Sequence, residues 1–96
     1  MRIEELLKER REEILRIAAR HGAHNVRIFG SVARGEAGPQ SDIDLLVDVG
    51  SRTSSWFPTG LIEDLEKLLG RKVDVLTDGG VSRYLRDQIY REAVPL

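Results

Sequence analysis

Apolar residues recur at helical spacing from the start of the chain: Ile3, Leu6, Leu7, Ile14, Ile17 and Ala18. That spacing predicts a helix over residues 2–21, with Gly22 placed to end it. Arg10 falls on the apolar face and breaks it, although its aliphatic stem can cover apolar surface while the guanidinium reaches water. Asn25–Phe29 reads as a first strand. In the next apolar run, Ile43, Leu45 and Val47 share one face of a strand, and Asp42 and Asp44 take the other. Leu61, Ile62, Leu65, Leu68 and Leu69 form a helical stripe, which predicts a helix over 58–69 ended by Gly70. Residues 71–77 read as a third strand, with Val73 and Val75 on one face and Asp74 on the other. Asp78-Gly79-Gly80 is a turn. Ser82 is placed to cap a final helix over 82–92, with Leu85, Ile89 and Ala93 turned inward. Ala93-Val94-Pro95-Leu96 is expected to pack as an edge segment or to meet a partner.

The order of elements implies an α/β (α+β) fold with a small mixed sheet of three strands, or four if the C-terminus joins. The first two strands need only a short link, which suits an antiparallel pair. The second and third are joined through a helix, which suits a parallel pair. The helices are expected on one face, leaving the aspartate face partly open.

Ninety-six residues fit a single domain spanning 1–96. A chain that is 41% apolar and 32% charged reads as soluble and globular. The net charge of −1 gives no basic field for nucleic acid, and the Lys/Arg residues alternate with Glu and Asp as on solvated helix faces. The absence of cysteine excludes disulfides, thiolate metal sites and a cysteine nucleophile, and fits a cytoplasmic setting. No apolar run approaches a membrane span, and the first residues lack a signal-peptide core. His21 and His24 read as polar loop residues; no Asp-His-Ser set is apparent. Trp56 and Phe57, after the polar loop 50–55, are expected to cap the core, with base stacking or partner docking as alternatives. Tyr84 and Tyr90 are expected to pack or to sit half exposed.

The chemistry concentrates between Ile28 and Val49. Aspartate is depleted in strand interiors, yet Asp42 and Asp44 stand two apart. Residues i and i+2 of a strand point the same way, about 6.5–7 Å apart. Two carboxylates so placed raise each other's pKa unless a cation compensates. Hard oxygen ligands suit Mg²⁺ or Mn²⁺. Ahead of the pair, Gly30 permits close approach of the backbone to a ligand. Ser31, opening a helical turn, offers a hydroxyl and free N–H groups for a phosphate. A metal beside a phosphate cradle is the layout of phosphoryl or nucleotidyl transfer. If the second and third strands share a sheet, Asp74 joins Asp42 and Asp44 on its open side. Asp48 shares that face but lies too far along the strand.

Gly30-Ser31, ten residues, then Asp42-Ile43-Asp44 resembles the signature of the DNA polymerase β-like nucleotidyltransferases. The fuller run G-S-V-A-R-G-E-A-G-P-Q-S-D-I-D-L-L-V resembles the minimal nucleotidyltransferases, over nearly the whole chain. The resemblance implies a nucleotidyltransferase fold and transfer of AMP from Mg²⁺-bound ATP to a hydroxyl. It implies that Asp42, Asp44 and Asp74 bind metal and catalyse, with Asp74 taking the acceptor proton. Gly30 and Ser31 would hold the phosphates; Arg34 would neutralise phosphate charge or make a structural salt bridge. The acceptor it implies is a tyrosine of a HEPN-domain toxin, with this chain as the antitoxin. Two other readings are an antitoxin that acts by contact alone and a transferase for small molecules such as antibiotics. A polymerase fits poorly, because there is neither a basic stripe nor a fingers-like domain.

Overall fold

The computed structural model describes residues 2–38, 41–80 and 83–96. The first helical stretch is two helices, α1 (Ile3–Glu9) and α2 (Arg11–Arg20), separated at Arg10. The break lets Leu7 and Ile14 both reach the core while the Arg10 guanidinium stays half exposed, 2.9 Å from Glu13. One apolar stripe carrying an arginine thus becomes two shorter ones. Gly22 then takes φ +86°, and a side chain there would strike the backbone of Arg52.

Strand β1 (Ala23–Phe29) follows, then the short helix α3 (Gly30–Ala33) and strand β2 (Ile43–Val49). Helix α4 (Thr59–Leu69) leads into β3 (Val73–Thr77). A 3₁₀ turn over Asp78–Gly80 precedes α5 (Arg83–Glu92) and the two-residue strand β4 (Val94–Pro95). Ser82, the expected cap of α5, and the side chain of Tyr84 lie outside the described residues.

The sheet order is β3-β2-β1-β4. β1 and β2 are antiparallel with Phe29 opposite Asp44, and β2 and β3 are parallel with Asp44 opposite Asp74. β4 adds to the free edge of β1, Val94 opposite Ile28, so the sheet has four strands. A bulge interrupts β1 between His24 and Arg27, where Asn25 adopts φ +49°.

Alternation along β2 decides what each face meets. Ile43, Leu45 and Val47, with Val73 and Val75 of β3, are buried against Ile3, Leu7, Ile14 and Ala18 and against Leu61, Leu65 and Leu69 of α4. Each fully buried leucine or isoleucine here contributes about 1.5–3 kcal/mol of transfer free energy. The other face also carries a helix, contrary to the expectation that the helices lie on one face only. Leu46, on the same face as Asp44, is buried with Phe29 and Ile89, so α5 packs across this side. Helices therefore flank both faces, and the open part of the aspartate face is limited to the end that carries Asp44.

Two side chains depart from expectation. Leu85 is 52% exposed, because α5 meets the sheet through Ile89, Tyr90 and Ala93 further along. Trp56 is 85% exposed, held out by a left-handed backbone at φ +62°, and only Phe57 packs against the core. Among the described residues, no helix is long and apolar enough to cross a membrane.

Candidate active site

The antiparallel pairing of β1 with β2 places the end of one strand on the beginning of the other. Phe29 is extended, and Gly30 then turns at φ +75° into α3. That turn brings the Gly30 Cα against the side chain of Asp44; a Cβ at position 30 would run into the carboxylate. Glycine is therefore required twice, by its φ and by its neighbour. Arg34 closes the turn, its N–H donating to the Gly30 carbonyl at 3.1 Å.

Asp44 is half buried, whereas Asp42 and Asp74 are exposed. Burial, then the nearby carboxylates of Asp74 and Asp42, push the Asp44 carboxyl above its ordinary value; Arg34 acts in the opposite direction. The parallel register puts Asp44 and Asp74 side by side on neighbouring strands, which lie about 4.8 Å apart. The three aspartates thus share one end of one face, and Asp44 feels the charge of the other two. Among the described residues, however, no three acidic or histidine side chains are gathered into a metal-ligating cluster.

Arg34 makes ion pairs with Glu36 (2.9 Å) and Glu92 (3.1 Å). The hydrogen bond to Glu36, more than any other contact, raises its pKa. Glu92, at the end of α5, reaches this corner through Arg34, a placement that sequence reasoning missed. Hydrogen bonds from Gln88 and Arg34 lower its pKa, as does the backbone N–H of Gly30. The available signal was indirect: the inward stripe through Ile89 and Ala93 carries position 92 beside it.

Asp48 has other employment. It accepts hydrogen bonds from Asn25 (2.9 Å) and Arg27 (2.6 Å), and these hold its carboxyl below the ordinary value. Arg27 in turn lies over the half-buried ring of Tyr90, 5.6 Å from its centre, with Arg86 5.2 Å from the same ring.

At the far end of the sheet the fold builds an Asp-His-Ser set that the sequence did not disclose. His21 Nδ1 lies 2.5 Å from Ser54 Oγ, and Nε2 lies 2.7 Å from Asp64 Oδ2. The Ser54 N–H also donates to the His21 carbonyl at 3.1 Å. The set ties the 50–58 loop and α4 to the corner between α2 and β1, and it stands at the opposite end of β2 from Asp44. His21 is therefore a clamp rather than a free loop residue.

Comparison with known proteins matches the nucleotidyltransferase domain family to residues 3–96. The chain belongs to that family. This nucleotidyltransferase is 41% identical over 88 residues to a Methanocaldococcus jannaschii protein named "Putative protein adenylyltransferase", covering 92% of the chain and 95% of the relative. It is 35% identical over 92 residues to the Thermococcus cleftensis protein adenylyltransferase MntA, covering 96% of the chain and 90% of the relative. A solved structure described as a "putative minimal nucleotidyltransferase" superposes with TM-score 0.84 at 49% identity, covering 96% of the chain and 94% of its counterpart. Two more distant structures share the fold. One is a chain of a toxin–antitoxin complex with AMP-PNP (TM-score 0.75, 21% identity, 88% of this chain and 69% of that one). The other is a chain of a complex between a tri-AMPylated Shewanella oneidensis HEPN toxin and its MNT antitoxin (TM-score 0.66, 19% identity, 97% and 71%).

Proposed function

We propose that this nucleotidyltransferase moves AMP from ATP to a tyrosine hydroxyl of a HEPN-domain toxin, and so serves as its antitoxin in the cytoplasm. The observation that carries the reading is the seating of Gly30 on the Asp44 carboxylate with Asp74 alongside. It sets a backbone corner with no side chain of its own, able to take phosphate oxygens, directly against acidic side chains. The names of the relatives support a protein as acceptor. The complexes formed by the distant neighbours support a HEPN partner and an adenine nucleotide.

The donor set fits a hard divalent cation, being carboxylate oxygen throughout. Asp42 and Asp44 would hold magnesium or manganese, and Asp74 would share it. Burial, and after it the charges of Asp74 and Asp42, raise the Asp44 pKa, and a bound cation would offset that repulsion. Bound magnesium supplies charge neutralisation on the triphosphate and activation of the acceptor oxygen. Gly30 and Ser31 hold the β- and γ-phosphates through backbone N–H groups and the hydroxyl, and Arg34 adds a positive charge. The acceptor oxygen attacks the α-phosphorus, the bond from that phosphorus to the bridging oxygen breaks, and pyrophosphate leaves. The acceptor proton passes to Asp74, whose exposed carboxylate can be reached from outside.

The test is incubation with α-labelled ATP, Mg²⁺ and a HEPN-domain partner. Label is expected on the partner, and its loss is expected in Asp42→Asn and Asp44→Asn. A wild-type protein that leaves the partner unlabelled overturns the reading. A variant with Asp42, Asp44 and Asp74 all changed to Asn that still neutralises the partner at equal concentration would point to inhibition by contact.

A further inference from the structure

Helix α5 crosses the aspartate face and ends at Glu92, whose side chain is only 19% exposed. Its Oε2 accepts from Arg34 Nη1 at 3.1 Å, and its Oε1 accepts from Gln88 Nε2 at 3.3 Å. The Gly30 N–H acts on the same carboxylate. One anionic side chain therefore pairs with the arginine of the corner and feels the Gly30 N–H beside it. On the reading above, these are donors that the triphosphate must use.

We infer that Glu92 is an internal stand-in for phosphate: its carboxylate occupies the Gly30–Arg34 donors until a triphosphate displaces it. The inference rests on the proposed function. An anion there, with Glu36 on the other side, keeps the Arg34 guanidinium aligned without ligand. The same contact competes with the ligand, so it lowers affinity. The backbone around Glu92 is pinned: Ile89 is buried, the Ala93 N–H donates to the Ile89 carbonyl at 2.8 Å, and Val94 pairs with Ile28. Release is therefore a rotation of the Glu92 side chain, with α5 left in place.

Calorimetric titration with Mg²⁺-ATP tests this. Glu92→Gln keeps the shape and removes the charge. It is expected to bind ATP about tenfold tighter, since a charge-assisted contact no longer competes. Most of that gain should vanish when Arg34→Ala is combined with it, because the competition acts through the guanidinium. Equal or weaker ATP binding by Glu92→Gln, with wild type binding normally, overturns the role of Glu92 and leaves the proposed function standing. No ATP binding by either protein overturns the phosphate seat and this inference together. Should Glu92→Gln fold poorly, Gln88→Ala removes only the helix-side support of the carboxylate. It is expected to tighten ATP binding by a smaller factor, and weaker binding by that variant also counts against the inference.

Discussion

The carboxylate of Asp44 fills the space that a side chain at position 30 would need. Gly30 and Asp44 are thus one structural unit, made by the pairing of Phe29 with Asp44 across β1 and β2. Gly30→Ala is expected to destabilise the protein by about 2 kcal/mol, combining the left-handed backbone with the displaced carboxylate. It should also abolish nucleotide binding. Urea unfolding and an ATP titration check the two effects separately.

Asp44 is expected to cost stability in the protein without nucleotide. Its pKa is raised, so the folded state holds the proton more tightly than the unfolded chain does. Its ionised form is therefore disfavoured by folding at neutral pH, and the cost disappears as the pH falls below the unfolded value. Asp44→Asn should raise Tm by a few degrees at pH 7, while transfer activity is lost. The difference in Tm from wild type should shrink as the pH enters the carboxylate range. A series of thermal scans from pH 7 downward reads this directly.

The clamp at the other end has the opposite sign. The hydrogen bond with His21 is the largest influence lowering the pKa of Asp64. Its contribution is present above the ordinary aspartate value and is lost as the pH falls through the depressed one. Asp64→Asn should lower Tm at neutral pH, and the gap to wild type should close in acid. Because the clamp is remote from Asp44, labelling of the partner should persist. Limited proteolysis within residues 50–58 should become faster.

Trp56 gives a test of how little an exposed aromatic does for this core. At 85% exposure and φ +62°, it contributes almost no burial and carries backbone strain. Trp56→Gly relieves that strain and loosens the unfolded chain, two effects of similar size and opposite sign. The net change in stability is expected to stay within about 0.5 kcal/mol. A loss of several kcal/mol in urea unfolding would show that the ring seals the core after all.

The sheet was legible in the sequence because its signals are local. Ile43, Leu45 and Val47 alternate with two aspartates, Val73 and Val75 flank another, and Gly30-Ser31 precedes the pair at a fixed spacing. Side-chain period in a strand fixes which residues share a face, and the observed register then sets Asp44 beside Asp74. What escaped notice depends on distant parts of the chain. His21, Ser54 and Asp64 come from three separate segments, and Arg34 meets Glu92 across 58 positions. Leu85 misled because an i, i+4 stripe says which residues share a helix face but not where along it the sheet ends. Arg10 showed as a flaw in an apolar stripe, and only the packing of Leu7 and Ile14 on either side shows that the flaw is a joint.

The parallel register of β2 with β3 has a consequence for folding fidelity. Shifting β3 by one position would expose Val73 and Val75 and drive Asp74 into the leucines of α4, at a cost of several kcal/mol. A chain that assembled its acidic edge wrongly would therefore also fail to close its interior. Inactive but stably folded isomers are excluded by the same oily contacts that hold the molecule together, and no separate safeguard is needed.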